Sequence, residues 1–384
     1  MRFTFLRSLV VSAASTAALA CSPALAATQV DVIALVTDDQ SEYPAQITDP
    51  GLVNAWGLSR SATSPFWVSS NGAGTSTVYS VNPVTQATTK LALTVTIPGD
   101  GSVTGQVFNG TSAFNGDAFL FVSEDGTFSG WRGALGTNAE VLALPSISNL
   151  YKGLAIATVG GERYAYGANF GTGAVDIFKG SAGAPDLTGT FSDPTLPSGF
   201  APFNIQNLSD TLYVTYAQQV TGSDDEAHGP GLGFVDAFDL NGNFLRRVAS
   251  GGTLDAPWGL ALAPSTFGDV AGSLLVGNFG DGTINAFDPQ AGMFLGQLLA
   301  ADGSVLAIDG LWALSVGNDG NAGSSQRVYF TAGPDEESHG LFGVLAVSSV
   351  PEPAIWVMML VGLGMVGSAM RSTRRGKRLS VSYT

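Results

Sequence analysis

The 384-residue chain is poor in cysteine, in histidine and in charge: one Cys, two His, and 12% Asp, Glu, Lys and Arg together. Its single cysteine, Cys21, falls in an N-terminal stretch with the build of a removable leader. The body therefore has no thiol, which excludes disulfides and Cys-ligated metals there. Basic residues are scarcest in the middle. Seven of the 16 (Arg2, Arg7, Arg371, Arg374, Arg375, Lys377, Arg378) lie at the two ends, leaving 9 against 30 acids over residues 27–350, a net charge of −21. Such a body repels a phosphate backbone, so nucleic acid is excluded as a partner. Also missing are H-E-x-x-H, G-x-S-x-G and a Walker loop, which removes the common hydrolase and nucleotide signatures. Gly362-Leu363-Gly364-Met365-Val366-Gly367 has the letters of a dinucleotide fingerprint. It lies inside an apolar run, with no strand before it and no acid about 20 residues after it, and is rejected as one.

What is present is 50 glycines and 18 prolines in a chain that is 45% hydrophobic, the composition of a turn-rich β protein. At the N-terminus, Arg2 and Arg7 precede an apolar run from Leu9 to Ala20 and then Ala24-Leu25-Ala26, the order of a secretory signal peptide over residues 1–26. At the C-terminus, Val350-Pro351-Glu352-Pro353 precedes an uncharged run over 354–370, a basic cluster over 371–378 and a short tail, 379–384. As a helix that run covers about 25 Å, just enough for a transmembrane span, and the basic cluster holds its far end in the cytoplasm.

These three ordered elements over 350–378 resemble the PEP-CTERM sorting tail of Gram-negative bacteria. The resemblance implies export, transient anchoring in the inner membrane, and processing near Pro351–Pro353 by an exosortase-type enzyme. Delivery to the cell surface or an exopolysaccharide matrix would follow. An ordinary C-terminal anchor is the alternative.

Between these ends the sequence repeats. Trp56-Gly57-Leu58, Lys152-Gly153-Leu154, Phe203-Asn204-Ile205, Trp258-Gly259-Leu260 and Trp312-Ala313-Leu314 start 96, 51, 55 and 54 residues apart, and Thr104-Gly105-Gln106 halves the first gap. Each marker is followed by a second apolar run, such as Phe119-Leu120-Phe121-Val122 or Leu274-Leu275-Val276, and a third, such as Ile284-Asn285-Ala286-Phe287. Phe244 to Val248 and Phe294 to Leu298 supply fourth runs. Alternation with β-branched and aromatic residues makes these strands. Six units of four antiparallel strands predict an all-β, six-bladed β-propeller over 27–349; a pair of β-sandwiches is the runner-up. The apolar strand from Thr28 to Leu35 has no partner in its own unit and is expected to close the ring beside the last one.

In a propeller the start of each first strand and the loop between the second and third strands share one face. That face collects Asn54, Trp56, Asn71, Glu124, Asp125, Lys152, Asn169, Phe203, Asn204, Gln218, Trp258, Asn278 and Trp312. Among these, Trp56, Trp258, Trp312, Asn204 and Asn278 are candidates for ligand binding. Both histidines sit in matching acidic loops, Asp224-Asp225-Glu226-Ala227-His228-Gly229 and Asp335-Glu336-Glu337-Ser338-His339-Gly340, two units apart. His228 and His339 are candidate ligand contacts. The six acids Asp224, Asp225, Glu226, Asp335, Glu336 and Glu337 are candidate ligands for Ca²⁺ or another divalent cation, whose coordination needs clustered oxygens.

The stretches Ala256-Pro257-Trp258-Gly259-Leu260-Ala261-Leu262-Ala263-Pro264 and Val276-Gly277-Asn278-Phe279-Gly280-Asp281-Gly282 resemble a family of exported bacterial propellers, many with PEP-CTERM tails. Their phrasing is also similar, more loosely, to NHL-repeat and gluconolactonase-like propellers. The second resemblance implies a divalent ion on the channel face, with Asn204 and Asn278 as its nearest counterparts. Two functions are expected from these features. One is a non-catalytic surface or matrix module that binds polysaccharide or a small ligand, and the other is a metal-dependent, lactonase-like hydrolase.

Overall fold

The computed structural model describes residues 28–348 and Leu363. The expected signal peptide and membrane span lie outside the described residues. Over 28–348 the chain forms six sheets arranged in a ring, antiparallel except for two short parallel pairings at the closing strand.

Every marker triplet lies on the first strand of its sheet: Ala55–Ser59 in blade I, Val103–Phe108 in II, Tyr151–Val159 in III, Phe200–Leu208 in IV, Pro257–Leu262 in V and Leu311–Val316 in VI. These six strands line the axis, and each touches the first strand of the next blade, VI meeting I. Small residues in the markers follow from this closeness. A Cβ added at Gly57 would lie 2.3 Å from Thr104 O, and one at Gly259 would lie 2.7 Å from Trp312 O. Polar side chains stitch the same seam: Gln106 Nε2 donates to Gly57 O (2.9 Å) and Asn204 Nδ2 to Trp258 O (2.8 Å). Between blades the apolar faces of neighbouring sheets form the cores, such as Tyr164, Tyr166, Leu212, Val214 and Phe238 between III and IV.

Ring closure is as the sequence predicts. Gln29–Thr37 pairs antiparallel with Leu341–Val347, so the outer strand of blade VI comes from the chain's beginning. Two blades depart from the expected four strands: the closing sheet of blade VI gains two short strands, Ile47–Thr48 and Leu299–Ala300, which pair with Gln29–Thr37. Blade III has three, ending at Ala174–Lys179. The Gly- and Pro-rich stretch after it instead packs Ala184, Leu187, Phe191 and Leu196 against the III/IV core.

The channel is plugged. Trp312 stacks between Trp56 (3.6 Å between centroids) and Phe279 (3.8 Å), and Trp258 stands edge-on to Trp56 and Trp312. This aromatic cluster separates a cavity of about 340 Å³ at one mouth from one of about 720 Å³ at the other.

Candidate functional site

The smaller cavity opens on the face where first strands begin and second-to-third-strand loops end. Its centre is Lys152, at the start of the first strand of blade III. Its side chain is 5% exposed, with Nζ 2.6 Å from Oε1 of Glu124, which sits in the loop between the second and third strands of blade II. The ammonium also lies 5.3 Å from the Trp56 ring and 6.0 Å from that of Phe170, so two aromatic rings contribute to holding the charge.

Glu124 is held in turn by a relay across three blades. Trp312 Nε1 donates to Asn54 Oδ1 (2.9 Å), Asn54 Nδ2 to Asn71 Oδ1 (3.3 Å), and Asn71 Nδ2 to Glu124 Oε2 (3.0 Å). Asn54 has φ 47°, a left-handed backbone that asparagine accepts more readily than most residues. The relay thus fixes the carboxylate's direction before any ligand arrives.

Two further glutamates reach the cavity from the acidic loops. Glu226 is 7% exposed, and its loop folds back on blade IV through Ala227 N donating to Gln218 O at 2.7 Å. Glu337 comes from blade VI at the end of a rare run, Asp335, Glu336 and Glu337, all at positive φ (55°, 52° and 66°). Each such residue costs about 1–2 kcal/mol, so the surroundings must hold the turn in place. Asp335 N donates to Asp309 Oδ2 (2.8 Å), and His339 N to Pro334 O (3.2 Å).

The charges do not balance. Burial pushes the Glu337 carboxyl up to about 7, and Glu124 and Glu226 add to the rise while Lys152 opposes it. Burial likewise raises Glu226 above the usual carboxylate range, with Lys152 again opposing. Burial works to lower Lys152, but Glu124 and Glu226 hold its ammonium above the ordinary lysine value. One ammonium faces three carboxyls, and Asp225, Asp309 and Glu336 add acid around the rim.

The structure redistributes the residues singled out from sequence. Trp56, Trp258 and Trp312 are buried in the plug, two of them with spent indole N–H groups: Trp258 Nε1 donates to Lys152 O (3.0 Å) and Trp312 Nε1 to Asn54. They form the floor of the site and its packing. Asn204 is consumed by the seam to Trp258. Asn278 Nδ2 is spent on Thr253 O, Asp281 and Thr283 at 2.8 to 3.1 Å, while its Oδ1 is buried without a partner, so both asparagines hold loops and strands through their amide nitrogens.

The six expected metal ligands do not converge. Asp224, Asp225, Asp335 and Glu336 are exposed, and Ser223 Oγ donates to Asp225 at 2.6 Å. Only Glu226 and Glu337 turn inward, because their loops hairpin over the mouth. Among the described residues no group of three or more His, Cys, Asp and Glu is arranged to hold a metal ion.

The histidines also part. His228 lines the cavity, exposed, 5.5 Å from the Phe279 ring. His339 turns away to Asp38, with Nδ1 2.9 Å from Oδ2, and ties its loop to the closing strand; that bond raises its pKa. Lys152 and Glu124 were on the expected face but outside the expected site. The signal for them was the lysine itself, which stands where the other markers carry an aromatic residue or Thr104.

Residues 349–375 match the PEP-CTERM protein-sorting motif, which marks an exported protein, sorted to the cell surface and processed by an exosortase. Among solved structures, the chain is similar to an α-L-arabinanase of Penicillium chrysogenum complexed with arabinobiose. That match has 12% identity and a TM-score of 0.50, covering 84% of this chain and 100% of that one. It is similar also to the periplasmic gluconolactonase of Pseudomonas aeruginosa, with 14% identity and a TM-score of 0.44 over 77% of this chain and 89% of that one. At 12% identity the likeness to the arabinanase is one of fold. Uncharacterized protein R648 of Acanthamoeba polyphaga mimivirus is 31% identical over 324 residues, 79% of this chain and 77% of its own length. The chain belongs to the family of that protein, as a six-bladed propeller with a sorting motif at its C-terminus.

Proposed function

We propose that this exported propeller is a binding module of the cell surface or matrix, and that its channel mouth takes a small polar ligand carrying an ammonium group, such as an amino sugar. The observation that carries this reading is the excess of carboxyl over ammonium: Lys152 satisfies Glu124 at 2.6 Å, while buried Glu226 has only the exposed His228 imidazole at 3.9 Å and half-buried Glu337 forms no ion pair among the described residues. A positive group entering there would compensate one buried and one half-buried carboxyl, and an added charge gains most where water is already partly excluded. A volume of about 340 Å³ suits one sugar ring, and the Phe279 ring offers it an apolar wall. Before processing, the tail would hold the protein in the inner membrane of a Gram-negative cell.

Calorimetric titration of the full chain with glucosamine, glucose and CaCl₂ tests the reading. Glucosamine is expected to bind and glucose to bind at least about tenfold more weakly, the worth of one charge-assisted hydrogen bond. Equal affinity for the two sugars refutes it.

A second reading, a metal-dependent hydrolase of the lactonase kind, draws on Glu337. A carboxyl poised near 7 can give or take a proton in neutral solution, as general acid–base catalysis requires. This reading requires Ca²⁺ or another divalent ion to bind in the same titration, and turnover of a lactone that is lost in E337Q.

A further inference from the structure

The other mouth of the channel has the opposite character. Its cavity, about 720 Å³, is bounded by the far ends of the six first strands, and two arginines reach it: Arg60 from the end of that strand in blade I and Arg163 from the start of the second strand in blade III. Both are half-buried, in a body whose net charge is strongly negative. Neither forms an ion pair among the described residues. Arg60 donates from Nε to Val316 O (2.6 Å) and from Nη1 to Ser61 O (3.3 Å), while Arg163 donates to Thr158 Oγ1 (3.0 Å) and Asn109 O (2.9 Å). Every acceptor is neutral. Asp319, the carboxylate that acts on Arg60, spends both oxygens on Ser325. Asp210 on the cavity wall pairs with neither arginine.

Two further groups are unsatisfied. Arg163 Nε is buried with no hydrogen-bond partner, and so is Oγ of Ser59, a cavity-lining residue that is 8% exposed. A half-buried guanidinium with no paired carboxylate loses part of its hydration uncompensated, and the buried orphan Nε of Arg163 costs about 1–3 kcal/mol more. Both penalties fall together at one opening, which is the mark of a place where an anion completes the structure. Gln206 adds an amide to the same wall, and Asn207 keeps its Oδ1 free while its Nδ2 donates to Ile156 O (3.0 Å), groups suited to a ligand rich in hydroxyls.

We propose that this second mouth binds an acidic disaccharide through its carboxylates, met by Arg60 and Arg163 on the wall of the same cavity. The site is independent of the acid-lined mouth, from which the tryptophan plug separates it.

Calorimetric titration of the full chain with digalacturonate, with its neutral counterpart galactobiose and with sodium sulfate tests the proposal. Digalacturonate is expected to bind, with galactobiose at least about tenfold weaker, and R60Q and R163Q each weakening digalacturonate by about tenfold. Circular dichroism melts establish whether each variant is folded. If the glutamine variants fail to fold, R163K keeps the charge but loses the planar fork, and is expected to lower affinity for the acid dimer more than for the neutral one. No binding of digalacturonate, equal binding of the two dimers, or insensitivity to both arginines would overturn the proposal. Sulfate displacing digalacturonate at equal concentration would also overturn it, since the site would then take any small anion.

Discussion

Replacing Glu337 with Gln isolates the strain stored in the acid-lined mouth. In the folded protein the Glu337 carboxyl titrates near 7, whereas in the unfolded chain it returns to its ordinary 4.5. Because the folded value is the higher, the native state binds the proton more tightly. Stability is then full below about pH 4.5 and is lost as pH rises through 7. A rise of about 2.5 units corresponds to about 3 kcal/mol withdrawn between those limits. Gln mimics the protonated carboxyl in size and neutrality. E337Q should therefore match the parent at pH 4.5 and exceed it by about 3 kcal/mol at pH 8. Urea unfolding at pH 4.5, 6 and 8, followed by tryptophan fluorescence, reads the difference directly. A variant that tracks the parent at all three values would show that Glu337 is solvated and that the charge imbalance at the mouth is illusory.

Trp312→Ala removes the middle ring of the plug and is expected to cost about 3–5 kcal/mol, read as a lower urea midpoint; a loss below about 1 kcal/mol would contradict the packing role given to it. Gly57→Ala should lower the melting temperature, because its Cβ has to displace the Thr104 carbonyl and part blades I and II. Gly133→Ala, with open space around its Cβ, should leave it unchanged, and equal effects of the two would contradict the account of the markers. Protein recovered from the producing cell's surface should lack residues 1–26 and end near Pro351–Pro353 by intact mass; a species keeping 371–378 would mean an ordinary membrane anchor.

The ring was readable because its determinants are local and repeated. The marker triplets fall on the six first strands, since only small residues tolerate the closeness at the axis, and the orphan strand at 28–35 had to find an edge. Blade III was misjudged because a missing fourth strand leaves no positive signal; the chain after Lys179 is merely rich in Gly and Pro, and its apolar residues join a core between blades. The site was half legible. Topology put Lys152, Glu124, Glu226 and Glu337 on one face, but which acid of Asp335, Glu336 and Glu337 turns inward depends on three consecutive left-handed residues that no pattern announces. The arginines at the far mouth were invisible for a similar reason. Arg60 and Arg163 are isolated residues about a hundred positions apart, and what sets them apart is the carboxylate each lacks.

A crystal structure of the protein with glucosamine would test the acid-lined mouth most directly. The account predicts the sugar's ammonium within hydrogen-bond distance of Glu226 or Glu337, its ring against Phe279, and the Lys152–Glu124 pair undisturbed. Density for the sugar elsewhere, or an empty mouth at saturating glucosamine, would contradict it.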